Sequence, residues 1–248
     1  MADSVLYTST SGAKESLRKT RLMANNLANV NTIGFHADYE TIASKAVVAE
    51  GMQTRISSVA GKGYTDHSPG PVYHTGRSLD VAIKGRGFFA VQNKSGQEGY
   101  TRAGNFDITA QGLLVTQTGD LVLSNDGVIN IPPAAEVMID DKGVVSTRIQ
   151  GEPKTTIAEV GRLKLVNPPI ESIKKGEDGL YYPIENGNVS NAQDVMLAPE
   201  SLEGSNVDAV KALVSIIDMC RHFDSQAKVM GIVKENTTKA NSILSLQS

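Results

Sequence analysis

The feature that most constrains this chain is a long uninterrupted stretch near its C-terminus. Residues 207–246 contain no proline and one glycine, Gly231. Within them Leu213, Ile216, Cys220, Phe223, Ala227 and Met230 recur at spacings of three and four, and Leu244 falls on the same register. That spacing lines one face of an α-helix. Typical globular helices run about 8–20 residues, so a helix of this length outreaches what one small domain covers. Lys234, Thr237 and Asn241 interrupt the stripe, and the helix needs a partner. Ser205 is its expected N-cap, with Asp208 filling the acidic first-turn role.

The N-terminal end has the same character. Residues 3–31 carry no proline and only Gly12; Leu6, Ala13, Thr20 and Leu27 recur every seven residues, with Thr10, Leu17 and Ala24 between them. This is a heptad-like stripe with small and polar members. Its apolar drive is thin, so the isolated helix is marginal. Gly34, after Thr32-Ile33, suits a left-handed cap. The two stripes are expected to pair with each other and with copies or relatives of the protein.

Between the ends the period changes from helical to alternating. Leu79-Asp80-Val81-Ala82-Ile83, Phe106-Asp107-Ile108 and Arg162-Leu163-Lys164-Leu165-Val166 alternate, and Gly87-Phe88-Phe89-Ala90-Val91 reads as a buried strand. Turn signals separate them at Asn93-Lys94-Ser95-Gly96, Asn125-Asp126-Gly127, Asp140-Asp141-Lys142-Gly143 and Glu185-Asn186-Gly187. Residues 51–71, rich in Gly, Ser and Thr, read as extended. The expected fold class is α+β: long N- and C-terminal helices forming a coiled-coil-like core, with a central antiparallel β-rich domain. The expected division is a terminal helical core at 1–40 and 200–248, an extended connector at 41–75 and a β-rich domain at 76–199.

Composition narrows the function. Charged residues make up 21% and hydrophobic ones 40% of the 248 residues, a folded rather than a disordered profile. A formal charge of −3 with scattered Lys and Arg leaves no electrostatic footprint for nucleic acid. Lys14, Glu15, Arg18 and Lys19 break up the first twenty residues, so no cleaved signal peptide is expected. No apolar run reaches the roughly 18 residues a membrane span needs. The lone Cys220 reads as a packing residue on the buried stripe.

No catalytic constellation is visible. His36, His67, His74 and His222 lack metal-ligand spacing and read as solvated loop residues. Gly85-Arg86-Gly87 lacks the third glycine of a dinucleotide loop. Ser68 beside His67 lacks a nucleophile-elbow context. The expectation is a non-enzyme with no cofactor and no metal. A β-headed adhesin would call for a signal peptide or anchor, and a hydrolase for a nucleophile–base pair.

Three segments resemble the flagellar rod and hook protein family. Ala24-Asn25-Asn26-Leu27-Ala28-Asn29-Val30-Asn31-Thr32-Ile33-Gly34-Phe35 is similar to its N-terminal signature, with Asn26, Leu27, Ala28, Asn29, Thr32, Gly34 and Phe35 matching. Residues 75–83, with Gly85, Gly87-Phe88-Phe89 and Tyr100-Thr101-Arg102, resemble its β-domain motif. Leu202-Glu203-Gly204-Ser205-Asn206-Val207-Asp208 resembles its C-terminal helix entry, with Arg221-His222-Phe223 further along. Gly204 departs from the polar or acidic residue more frequent in relatives.

The resemblance implies a structural rod subunit, exported by the flagellar type III apparatus and assembled in the periplasm into a helical tube that transmits torque. Its partners would be copies of itself and other rod proteins, with no nucleic acid and no membrane insertion. Chain length and Gly161-Arg162-Leu163-Lys164-Leu165-Val166 favour a proximal over a distal rod position. The expected assembly residues are Asn26, Leu27, Asn29, Gly34, Phe35, Leu79, Asp80, Ser205, Asn206, Leu213, Ile216 and Phe223.

Overall fold

The structure is a computed structural model that describes residues 2–49, 52–132, 135–149, 158–184, 192 and 194–245. Two compact units emerge: one from residues 1–29, 37–66 and 207–248, the other from 30–36 and 67–206.

The first unit holds helix α1 (Ala2–Ala28), helix α2 (Ala209–Ser245) and a hairpin of strands β1 (Asp38–Ala49) and β2 (Met52–Thr65). Helices α1 and α2 pack against each other, and α1 also packs on β2. Thr10 Oγ1 meets Met230 Sδ at 3.4 Å. A Cβ built on Gly12 would lie 3.3 Å from Gln226 Cδ. These contacts step in opposite directions along the two helices, which are therefore antiparallel. Small residues on α1 (Ser9, Ala13 and Ser16, all buried) let the backbones approach.

The face that α2 turns inward differs by one position from the expected stripe. Ala212 is buried and Ile216, Met219, Phe223, Gln226, Met230 and Val233 are half-buried, while Leu213, Cys220 and Ala227 are exposed. Ile216, Phe223 and Met230 belong to either register. The structure fills the other half of the seven-residue repeat with 212, 219 and 226, and the missing side chain at Gly12 leaves room for Gln226.

The cap is displaced as well. Asp208 Oδ1 accepts the Val210 and Lys211 N–H groups at 3.0 Å each. These bonds and Lys211 outweigh desolvation and hold the Asp208 carboxyl below its ordinary range. Ser205, expected as the cap, is instead buried before α2 begins. The stretch read as an extended connector is, in its described part, mostly the β1–β2 hairpin, bulged between Glu40 and Ile42 and between Val47 and Val48. Tyr39 and Tyr64 face each other across the ladder with rings stacked 5.8 Å apart. Arg18 of α1 pairs with Glu40 of β1 at 2.6 Å.

The second unit is β-rich, and every described pairing is antiparallel. Its largest sheet runs Ile173–Lys175, Tyr181–Pro183, Glu98–Thr101, Phe88–Gln92, Leu121–Ser124, Leu114–Thr116, Phe106–Ile108. A three-stranded sheet joins Ala135–Ile139, Val144–Ile149 and Ala158–Arg162. Two short ladders pair Val81–Lys84 with Met196–Pro199 and Val72–His74 with Ser201–Glu203.

The run Phe88-Phe89-Ala90-Val91 is apolar throughout because both faces of that strand are covered. Phe89 and Val91 enter the larger core with Phe106, Leu114 and Leu197, whereas Phe88 and Ala90 enter a smaller one with Tyr100, Val166 and Tyr181. Phe89 and Phe106 meet edge to face at 5.2 Å. The expected turns at Gly96, Gly127 and Gly143 are present, and the one at 185–187 lies outside the described residues. The α+β class holds. Among the described residues no helix is long and apolar enough to cross a membrane.

Candidate functional site

The residues most unusual for their environment are three buried polar side chains in the second unit: His36, Arg102 and Glu203, the last only 1% exposed. A buried charge is costly unless paired and hydrogen-bonded, and this pair is both. Arg102 Nε lies 2.9 Å from Glu203 Oε2, and Arg102 Nη2 donates to Oε1 at 3.2 Å. Arg102 Nη1 and Nη2 also donate to the carbonyls of Gly87 and Gly85, each at 2.9 Å. Glu203 Oε1 also accepts the Gly70 N–H at 3.0 Å. Burial alone would push the Glu203 carboxyl up. The His36 ring, the Arg102 charge and the Gly70 N–H outweigh it and hold the group below its ordinary value.

Three chain segments close on this pair. Gly34 donates its N–H to the Glu203 carbonyl at 2.8 Å, and the Phe35 carbonyl accepts the Asn206 N–H at 3.2 Å. Gly204 N–H donates to the Pro71 carbonyl at 2.8 Å, and Asn206 Nδ2 donates to the Ser68 carbonyl at 3.0 Å. Lys175 Nζ donates to the His36 carbonyl at 2.8 Å and stands 4.1 Å over the Phe35 ring.

Two glycines permit the approach. At Gly34, with φ +66°, a Cβ would sit 2.4 Å from the Arg102 carbonyl carbon; at Gly70 it would sit 2.0 Å from the Gly204 oxygen. Gly34 has the left-handed backbone expected of it, but α1 ends at Ala28. Its conformation serves this close contact rather than the helix cap.

His36 and His67 depart from the solvated-loop expectation. His36 is buried, and its ring packs against His67 at 5.4 Å, Tyr181 at 6.1 Å and Phe88 at 6.4 Å. Its Nδ1 is 3.3 Å from the Tyr181 hydroxyl, and its Nε2, with no hydrogen-bond partner, is 3.9 Å from Glu203 Oε1. Among the described residues no group of three His, Cys, Asp or Glu side chains is placed to hold a metal ion.

The other expected residues fall into separate places. In the first unit, buried Asn26 makes two bonds to the backbone of Asp38: Nδ2 donates to its carbonyl at 2.8 Å and Oδ1 accepts its N–H at 3.0 Å. Leu27 beside it is half-buried. Asn29 Nδ2 donates to the Asn25 carbonyl at 2.9 Å at the end of α1. In the second unit, Leu79 packs on the larger core and buried Asp80 accepts from Thr75 Oγ1 at 2.8 Å and Arg77 Nη1 at 3.3 Å.

Leu213 is 51% exposed, whereas Ile216 and Phe223 face α1. Val210, Val214 and Ile217 are exposed on the same outer side of α2 as Leu213, at the spacings of three and four that align them on a helix. Arg102 and Glu203 lie inside two of the motif segments, 101 positions apart, and nothing local in the sequence relates them. Their shared signal is a charged residue beside small backbone-approach positions: Arg102 before Ala103-Gly104, and Glu203 before Gly204.

Two long terminal helices have a β-rich unit between them in sequence, and part of each of the three motif segments meets at one buried ion pair. With no catalytic grouping among the described residues, these are the features of a structural protein. Comparison with known proteins gives the family. Residues 6–36 match the family described as Flagella basal body rod protein, residues 82–147 the Flagellar hook protein FlgE/F/G D1 domain, and residues 198–243 the Flagellar basal body rod FlgEFG protein C-terminal. The flagellar basal-body rod protein FlgF of Escherichia coli (strain K12) is 36% identical over 98% of this chain and 99% of its own. FlgF of Salmonella typhimurium is likewise 36% identical over 98% and 99%. FlgG of Caulobacter vibrioides is 30% identical over 91% of this chain and 93% of its own. The chain belongs to the flagellar basal-body rod proteins of the FlgF kind. It is a structural subunit of the basal-body rod, in a family not known as enzymes, and it assembles with other flagellar rod proteins.

Proposed function

We propose that this rod subunit docks to its neighbours through the outer face of α2, with Val210, Leu213, Val214 and Ile217 as the contact. The carrying observation is that these four large apolar side chains are exposed on one helix face in a family whose members are rod subunits. Contact with other copies and other rod proteins then covers that face, and the terminal segments 1–40 and 200–248 form a coiled-coil-like core at the centre of a helical tube. The β-rich region 76–199 is carried as a separate body; of the expected connector 41–75, the hairpin part belongs with the helices and residues 67–75 belong with the β-rich unit. Asn26, Leu27 and Asn29 position the end of α1, Gly34, Phe35, Ser205 and Asn206 belong to the segments that close on the buried ion pair, and Leu79 and Asp80 brace the β-rich unit. Ile216 and Phe223 hold the helix pair together, and Leu213 meets a neighbour.

The subunit takes a proximal rod position, passes through the flagellar type III export apparatus without a cleaved signal peptide, and transmits torque from within the periplasm. Higher coverage by the FlgF relatives than by FlgG supports the proximal position. Helices with thin apolar stripes support export, since they stay unfolded until neighbours order them.

The test is Leu213→Asp. An unpaired carboxylate buried in a subunit contact costs about several kcal/mol, whereas on the exposed face of a free chain it costs little. The variant should be produced and exported, show the thermal transition of the unaltered chain, and fail to enter rods. Normal incorporation and swimming would remove Leu213 from the contact.

A further inference from the structure

We infer that the Arg102–Glu203 pair is a closing clasp: the segments 30–36, 67–71 and 203–206 dock on the β-rich unit together, in one cooperative event that waits for the most C-terminal of them. The geometry makes them interdependent. The Glu203 carboxylate holds the Gly70 N–H while its own carbonyl holds the Gly34 N–H. Asn206 bonds Phe35 through its backbone and Ser68 through its side chain. Without residues 203–206, Gly34 and Gly70 lose their partners and Arg102 is left as an unpaired buried cation, the costly case.

A chain that emerges N-terminus first therefore cannot dock its 30–36 segment until residue 206 has appeared. Lys175 also reaches the His36 carbonyl and covers the Phe35 ring, and the His36 ring packs on Tyr181 and Phe88. These contacts leave the Gly34 N–H and the Arg102 charge unpartnered, so they give little net stability on their own. The ladders of strands 88–92 and 121–124 use none of these hydrogen-bonding groups and form beforehand, although the Phe88 ring later receives His36. On the rod-subunit reading, this keeps the N-terminal motif open during export. The clasp itself rests only on the contacts of the β-rich unit.

Native-state hydrogen exchange on the full chain tests it directly. The amides of Gly34, Gly70, Gly204 and Asn206 should exchange through one shared opening, with the same denaturant dependence, distinct from that of Val91 and Val122. Gly34→Ala leaves the ion pair in place but forces its segment off Arg102. It should lower protection at Gly70 and Asn206 by about tenfold or more, together with the loss at residues 33–36, while Val91 and Val122 change by less than about twofold. Glu203→Gln should act on the same amides. In pulse-labelled refolding, the four amides should become protected in one phase after Val91 and Val122. Separate openings for the three segments would overturn the clasp, as would unchanged protection of Gly70 and Asn206 in Gly34→Ala. Protection of Gly34 in the same early phase as Val91 would overturn the order. Absence of the unaltered chain from isolated basal bodies, with the four amides still opening together, would count against the rod reading and leave the clasp standing.

Discussion

Arg102 and Glu203, 101 positions apart in the chain, meet in the interior of the β-rich unit with Nε 2.9 Å from Oε2. Every other polar group of the pair has a backbone partner or a buried neighbour. The pair links a strand end in the middle of the β-rich region to the segment that leads into α2.

Removing one member leaves the other charge buried. Glu203→Gln and Arg102→Gln should each destabilise the chain by about 3–5 kcal/mol, the range for breaking a buried ion pair. The double substitution should cost less than the sum of the two, because no uncompensated charge remains. Urea denaturation of the three variants gives the numbers. Strict additivity would mean that the two side chains do not depend on each other.

Acid should act on the same pair. The Glu203 carboxyl is held below its ordinary value in the folded chain. It therefore binds a proton more readily when unfolded, and its stabilisation is fully present above the ordinary carboxylate range. That contribution is lost as pH falls below about 4.5 through the depressed folded value. Unfolding followed from pH 7 to pH 3 should show stability falling at the acid end, and Glu203→Gln should flatten that limb. An identical acid limb in the variant would place the responsible carboxylates elsewhere.

Asn26 is the second internal pin. Its amide makes a donor and an acceptor bond to the Asp38 backbone, and Asn26→Ala removes both at a buried position. The loss should be about 2–3 kcal/mol at about 1–1.5 per bond. Asn29→Ala, on an exposed helix end, should cost about 1 kcal/mol or less. Equal effects at the two positions, read by thermal unfolding, would show that Asn26 is not a special anchor.

Much of this organisation is legible in the residues, and the remainder is hidden for physical reasons. The long helices show in the three-four spacing of Ile216, Phe223 and Met230. The buried strand shows in Phe88-Phe89-Ala90-Val91. The inward register of α2 does not show, since Leu213-Cys220-Ala227 is more apolar than Ala212-Met219-Gln226, and the room that Gly12 leaves for Gln226 exists only once the helices pair. The hairpin is concealed because residues 38–65 are rich in Ser, Thr, Ala and Gly and lack clean alternation. Asp208 outcompetes Ser205 as cap by geometry, which sequence spacing leaves open. The Arg102–Glu203 contact joins positions that nothing local relates. Charged residues read as solvated until a fold buries them.

On the proposed docking, the outer face of α2 is open in the free chain and covered in the rod. Cys220 reports on it directly: it is exposed and lies seven residues, about two helical turns, beyond Leu213 on that side. The measurement is the rate at which a maleimide labels Cys220 in the purified subunit and in isolated basal bodies carrying it. Rapid labelling of the free chain and strong protection in the rod are expected. Labelling at the same rate in both would contradict the docking, because the apolar face of α2 would then remain uncovered after assembly.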